Sequence, residues 1–238
     1  MSAPLVYHGL QGPRRPRWGR RGIMCRMLMA NRSGISRLVE RLSEFPDCNT
    51  LAAFLKGLDL RHGGHGGGVV LYGDGSVLHY EKGVDMQPER AAAVLEGRDY
   101  EWAVFHAREA SVGSVSDENC HPFVIEGRHH LALAANGSES QVAALGRVIG
   151  DRTDSEFIAK MIVDMDLPFP QVLSCFNSNF VGLYDGRPFA KKGDRQLLKY
   201  QTERDIVFAS DLPFGLTGIT RPGHNYCWFD WEESVLPG

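Results

Sequence analysis

The chain has 238 residues, of which 43% are hydrophobic, 23% charged and 10% aromatic. These are ordinary globular proportions, and they exclude disordered, collagen-like and disulfide-dense classes. Its 26 basic and 29 acidic residues give a formal charge of −3, which excludes a general polycationic grip on nucleic acid. No apolar run approaches the ~20 residues of a membrane helix. Five cysteines without regular spacing fit a reducing cytoplasm better than a disulfide framework.

Residues 1–24 stand apart from the rest. They hold Arg14, Arg15, Arg17, Arg20 and Arg21 and no acidic residue, which leaves 21 basic against 29 acidic residues in the remainder. No helical or strand period runs through them, and the order of basic and apolar stretches is wrong for a secretory signal. Three readings stay open: a disordered basic arm, a pro-segment, or upstream sequence that is not translated. Residues 25–238 show no linker composition and are expected to form one domain.

Taken in order, the elements begin with a short buried strand over 27–31. A helix follows with Ile35, Leu38, Val39 and Leu42 on one face and Ser33 as its cap. A second helix, capped by Asn49 or Thr50, carries Leu51, Phe54, Leu55 and Leu58. The glycine-rich run from His62 to Gly68 reads as a turn too flexible for a regular element. Strands 69–72 and 77–80 flank Gly73-Asp74-Gly75-Ser76, a strong hairpin signal. Pro88 opens a helix, and strands follow at 102–107 and 129–135. Thr153 caps a helix to Met165, with Glu156 completing a capping box. Short strands are expected at 180–184, 196–200, 206–210 and 226–231. Hairpins dominate over strand–helix alternation, so the expected class is α+β with antiparallel sheets rather than a doubly wound sheet.

Metal chemistry finds no support. No paired-cysteine or His-Glu-x-x-His motif is present, and neighbouring His129 and His130 on a strand point to opposite faces. The glycine run lacks the Lys-Ser/Thr ending of a phosphate loop. Cysteine is the stronger lead. Cys48, Cys120, Cys175 and Cys227 read as small packed thiols. Cys25 follows Met24, and if it becomes the first residue its α-amino group, with a reference pKa of ~7.7–8.0, can take the thiol proton. One residue then supplies both nucleophile and base.

Several segments together resemble the class II glutamine amidotransferase domain, an N-terminal-nucleophile hydrolase. They are Met24-Cys25-Arg26, the glycine loop, His106-Ala107-Arg108, Asn119-Cys120-His121-Pro122-Phe123, Ala135-Asn136-Gly137 and Thr153-Asp154-Ser155-Glu156. The resemblance implies a four-layer αββα sandwich of two mainly antiparallel sheets. It also implies hydrolysis of the glutamine side-chain amide through a γ-glutamyl thioester on Cys25. Arg108 would hold the substrate α-carboxylate, Asp154 the α-ammonium, and Ser111 would stand near the carboxylate. Asn136 and the Gly137 N–H would form the oxyanion hole, and His106, His121 and Gly67 would support the site. The sequence departs from the family pattern at Ala135, where histidine is usual before Asn-Gly. It departs also at His65, where aspartate is frequent, and at Glu109, where one branch has an aromatic residue.

The resemblance implies no cofactor and no metal. It points to a glutaminase subunit that supplies ammonia to a separate synthase subunit, with neither nucleic acid nor membrane as partner. Tyr226-Cys227-Trp228-Phe229-Asp230-Trp231 reads equally as a docking edge or as a core strand. Two alternatives stand beside the glutaminase: a hydrolase of larger γ-glutamyl amides, and a non-catalytic interaction module if Cys25 stays blocked.

Overall fold

The computed structural model describes residues 25–229, except positions 47, 63, 149, 165–167 and 213–216, together with a last strand over 232–235. The predicted extension, residues 1–24, lies outside the described residues.

Strand β1 (Arg26–Asn31) shows how the layers arise. Leu28 and Ala30 face one way and Met27 and Met29 the other, and all four are buried. A strand buried on both faces must lie between two layers. Leu28 and Ala30 join the core under helices α1 (Arg32–Leu42), α2 (Leu51–His62) and α3 (Pro88–Gly97), whereas Met27 and Met29 join a core shared with a second sheet.

β1 pairs antiparallel with β4 (Trp102–Ala107) on one side and β10 (Ile206–Ala209) on the other. The hairpin of β2 (Gly67–Gly73) and β3 (Ser76–Gly83) extends the sheet beyond β4, and β9 (Leu198–Gln201) and β11 (Ile219–Thr220) extend it beyond β10. The second sheet runs β13 (Glu232–Val235), β12 (Tyr226–Phe229), β8 (Arg187–Lys191), β7 (Asn179–Tyr184), β6 (His130–Asn136) and β5 (Phe123–Glu126). Its outer face carries Leu133, Phe180 and Phe189 against α5 (Asp154–Asp164) and α6 (Phe169–Ser174). A nine-residue helix, α4 (Ser140–Val148), lies between β6 and α5 in sequence. All pairings among these strands are antiparallel. The result is the four-layer αββα sandwich.

Two local expectations are corrected, and one open alternative resolves. The first helix is capped by Asn31, not Ser33. The Asn31 Oδ1 atom accepts the Gly34 N–H at 2.9 Å and the Ile206 N–H at 3.0 Å, while Ser33 donates to the Arg204 carbonyl at 2.9 Å. The glycine run is not wholly irregular, because His62 ends α2 and Gly67 opens β2. Glycine is required at 67 because an added Cβ would lie 2.5 Å from the His106 carbonyl oxygen. The aromatic segment near the C-terminus is core rather than docking edge: β12 lies between β8 and β13, with Cys227, Trp228 and Phe229 buried. Positions 230 and 231 lie outside the described residues. Two expected helix caps are present, although the expected capping box is not completed. Thr50 caps α2 through its bond from the Ala53 N–H, and Thr153 caps α5 through its bond from the Glu156 N–H. The Glu156 carboxylate turns instead to Arg152 and Lys160.

Candidate active site

The alternation that builds the core also aims the site. Cys25, one residue ahead of β1, shares the parity of Met27 and Met29 and so belongs to the side between the sheets. His106 and Arg108 share the parity of Val104 on β4, and Asn136 that of Ala132 and Ala134 on β6. At this end of the inter-sheet layer apolar side chains give way to polar ones. There Cys25, Arg108, Ser111, His121, Gly137 and Asp154 line one open cleft of ≈ 260 Å³.

The Cys25 thiol is held by one neighbour. The Glu109 N–H donates to Sγ at 3.2 Å and the Glu109 carbonyl accepts from it at the same distance. Surrounding protein pushes its pKa up to about 11, because burial disfavours the thiolate more than nearby Arg108 favours it. A thiol in that state is protonated at neutral pH and reacts only with a base beside it.

Arg108 is 1% exposed, and its guanidinium donates to the carbonyls of Val112, Gly113 and Ser114 at 3.1, 3.4 and 2.9 Å. These bonds close the loop after β4. They are all to neutral oxygens, and among the described residues no carboxylate pairs with the charge. Asp154, 4% exposed, is the counterpart on α5. Its carboxylate accepts the N–H groups of Glu139 at 2.6 Å and Ser155 at 2.9 Å, and burial raises its pKa against the effect of those bonds. Here too no cation is paired with it among the described residues. A buried guanidinium and a buried carboxylate thus share a cleft without meeting each other. Buried charges are stable when matched, and neither of these is matched by a side chain among the described residues.

Asn136 is buried, with one amide hydrogen in a long bond of 3.4 Å to Ser210 Oγ, which also accepts the Met27 N–H at 3.1 Å. That hydroxyl ties β6 to the start of β1 across the two sheets. Ser111 exchanges a hydrogen bond of 2.9 Å with Ser138. His106 donates from Nε2 to the Ala135 carbonyl at 3.0 Å, and burial lowers its pKa to about 3. His121, stacked on it with ring centroids 4.3 Å apart, lies in the cleft wall with its pKa also well below the usual value through burial. Both rings are neutral at pH 7.

The sequence reading missed a clamp on the Asn136–Gly137 turn. One Glu139 oxygen accepts both the N–H and the hydroxyl of Ser178 at 2.7 Å, and the Glu139 N–H holds Asp154. An added Cβ on Gly137 would strike the Ser178 side chain. The Glu139 side chain therefore fixes the turn against β7 while its backbone orients Asp154. Ser178 lies 39 positions from Glu139, and the only sequence signal was an acid two residues after Asn-Gly. Among the described residues no group of three or more His, Cys, Asp or Glu is placed to hold a metal ion. No helix among them is long and apolar enough to cross a membrane.

No protein-family model matches the chain. Amidophosphoribosyltransferase of Methanocaldococcus jannaschii is 27% identical over 113 residues, covering 44% of this chain and 24% of that protein. Glutamine phosphoribosylpyrophosphate amidotransferase from B. subtilis superposes with a TM-score of 0.60 at 19% identity, over 88% of this chain and 48% of that one. The allosteric regulatory enzyme of purine biosynthesis superposes with a TM-score of 0.55 at 17% identity and the same coverage. The chain therefore spans about half the length of these two solved structures, and the matched segment covers about a quarter of the curated relative. The superpositions show a shared fold, the α+β sandwich of these two amidotransferase structures.

Proposed function

We propose that residues 25–238 form a glutamine-hydrolysing domain whose nucleophile is Cys25, set free when residues 1–24 are absent or removed. The freed α-amine takes the thiol proton, and Sγ attacks the carbonyl carbon of the substrate's side-chain amide. The C–N bond breaks as that proton passes to the leaving nitrogen, which leaves as ammonia and a γ-glutamyl thioester on sulfur. Water then adds to the thioester, the C–S bond breaks, and glutamate departs as the thiol regains its proton. Asn136 and the Gly137 N–H stabilise the oxyanion of both steps, at ~3 kcal/mol per donor. Arg108 takes the substrate α-carboxylate in a guanidinium fork, Asp154 the α-ammonium, and Ser111 closes the carboxylate end.

The observation that carries this reading is the coexistence of Arg108 and Asp154, both buried in one cleft and neither matched to the other. An α-amino acid head group satisfies both charges and sets the distance at which its side chain meets Cys25. The ammonia is supplied to a separate synthase subunit, in a reducing cytoplasm suited to five free cysteines. A larger γ-glutamyl amide is the second reading, favoured by Glu109 at the nucleophile. Replacement Cys25→Ala tests the proposal. Glutamate release from L-glutamine by the chain beginning at residue 25 is expected to fall by more than ~1,000-fold, and turnover persisting in the variant contradicts it.

A further inference from the structure

Glu109 is a carboxylate beside the nucleophile for which neither the fold nor the mechanism above has a use. Its backbone grips Cys25 on both hydrogen-bonding sides. It lines the same cleft as Arg108 and Asp154, and its side chain is 18% exposed. The nearest basic nitrogen, His65 Nδ1, is 3.9 Å away, too far for a hydrogen bond. That nitrogen accepts the Ala110 N–H at 3.0 Å, so the ring proton is on Nε2, the other side. Among the described residues the Glu109 carboxylate has no hydrogen-bond donor.

The negative charge of this carboxylate, with only His65 at 3.9 Å, opposes formation of the thiolate, although the Glu109 backbone bond to sulfur favours it more. A cation arriving with the substrate removes that cost. Arg108 and Asp154 fix the head group and Cys25 the amide carbonyl carbon, so what remains beside Cys25 is the leaving amine. Resting on the hydrolase reading, we infer that Glu109 selects γ-glutamyl amides whose leaving amine bears a second, cationic nitrogen, as in the monoamide of a diamine. The bonds made and broken are those given above, with the diamine departing in place of ammonia.

The test compares two amides of equal length on the chain beginning at residue 25. One is the γ-glutamyl monoamide of tetramethylenediamine and the other γ-glutamyl pentylamide, which differs only in lacking the terminal ammonium. The kcat/KM ratio is expected to favour the diamine by about tenfold, the size of one matched charge pair. It is expected to shrink with added salt and to fall to near one in Glu109→Gln. A ratio near one in the unaltered chain overturns the inference, as does a ratio that survives in Glu109→Gln. Equal loss on both amides, with the acid limb of the pH profile displaced, also overturns it, by assigning the carboxylate to the Cys25 α-amine. Hydrolysis of glutamine or of the pentylamide without preference leaves the hydrolase reading standing, whereas no turnover of any of the three removes both.

Discussion

The helix layer over the seven-stranded sheet and the cleft at the end of the inter-sheet layer are made from the same strands and from opposite materials. β1 gives Leu28 and Ala30 to the first and follows Cys25 of the second; β4 gives Phe105 to the first and leads to Arg108 of the second. The helix layer is apolar throughout, with Ile35, Leu42, Phe54 and Leu95 closed to solvent. The cleft wall buries Arg108, Asp154 and His121, and His106 and Asn136, which do not line it, are buried as well. Apolar burial favours folding by roughly 25 cal/mol per Å², whereas a buried charge without a counter-charge opposes it. One region holds the protein together, and the other keeps charged groups that no described side chain matches.

This contrast can be broken from either side. The largest effect is expected in the helix layer. Phe54→Ala should lower unfolding free energy by about 3–5 kcal/mol in urea denaturation while leaving kcat per folded molecule unchanged. A kinetic loss without a stability loss would erase the distinction. Acid should act on the polar region next. His106 stays neutral when folded down to about pH 3, and His121 is lowered likewise, whereas the unfolded chain protonates both below about 6.5. Protons therefore bind the unfolded state first. Stability is full above pH 6.5 and falls as pH drops, by about 1.4 kcal/mol per pH unit per histidine. Denaturation curves at pH 7, 6 and 5 check this, and replacing His106 by Gln should flatten the slope. The smallest effect concerns the turn clamp. Glu139→Ala should cut kcat/KM by about tenfold, and Glu139→Gln should restore most of it because its carbonyl still accepts from Ser178. Loss in both variants with lowered melting temperature would make the clamp merely structural.

What the sequence disclosed follows the reach of each interaction. The Asp74-Gly75 hairpin and the Thr153 cap rest on contacts within a few residues, strand 102–107 announces itself by its apolar run, and each was legible. The Asn31 cap was not, because its side chain is shared with Ile206 across 175 positions. Helix α4 went unseen because it lacks a clean apolar face: Leu145 is 52% and Val148 82% exposed. Strands β5 and β8 are four and five residues long, too short for their alternation to stand out. In the cleft, Cys25, Arg108, Gly137 and Asp154 could be named from ordered motifs. Ser178 and Ser210 could not, since an isolated serine carries no signal until folding sets it against Glu139 or Asn136. The engagement of the Arg108 guanidinium with three loop carbonyls was equally invisible, because it depends on how the chain turns after β4.

The central claim concerns the state of the Cys25 nitrogen. The decisive measurement pairs intact-mass analysis of the protein from native cells with glutamate release by two forms, one beginning at residue 25 and one keeping residues 1–24. A native mass beginning at Cys25, with turnover confined to that form, is the predicted result. Equal turnover by the form in which that nitrogen remains an amide would contradict it.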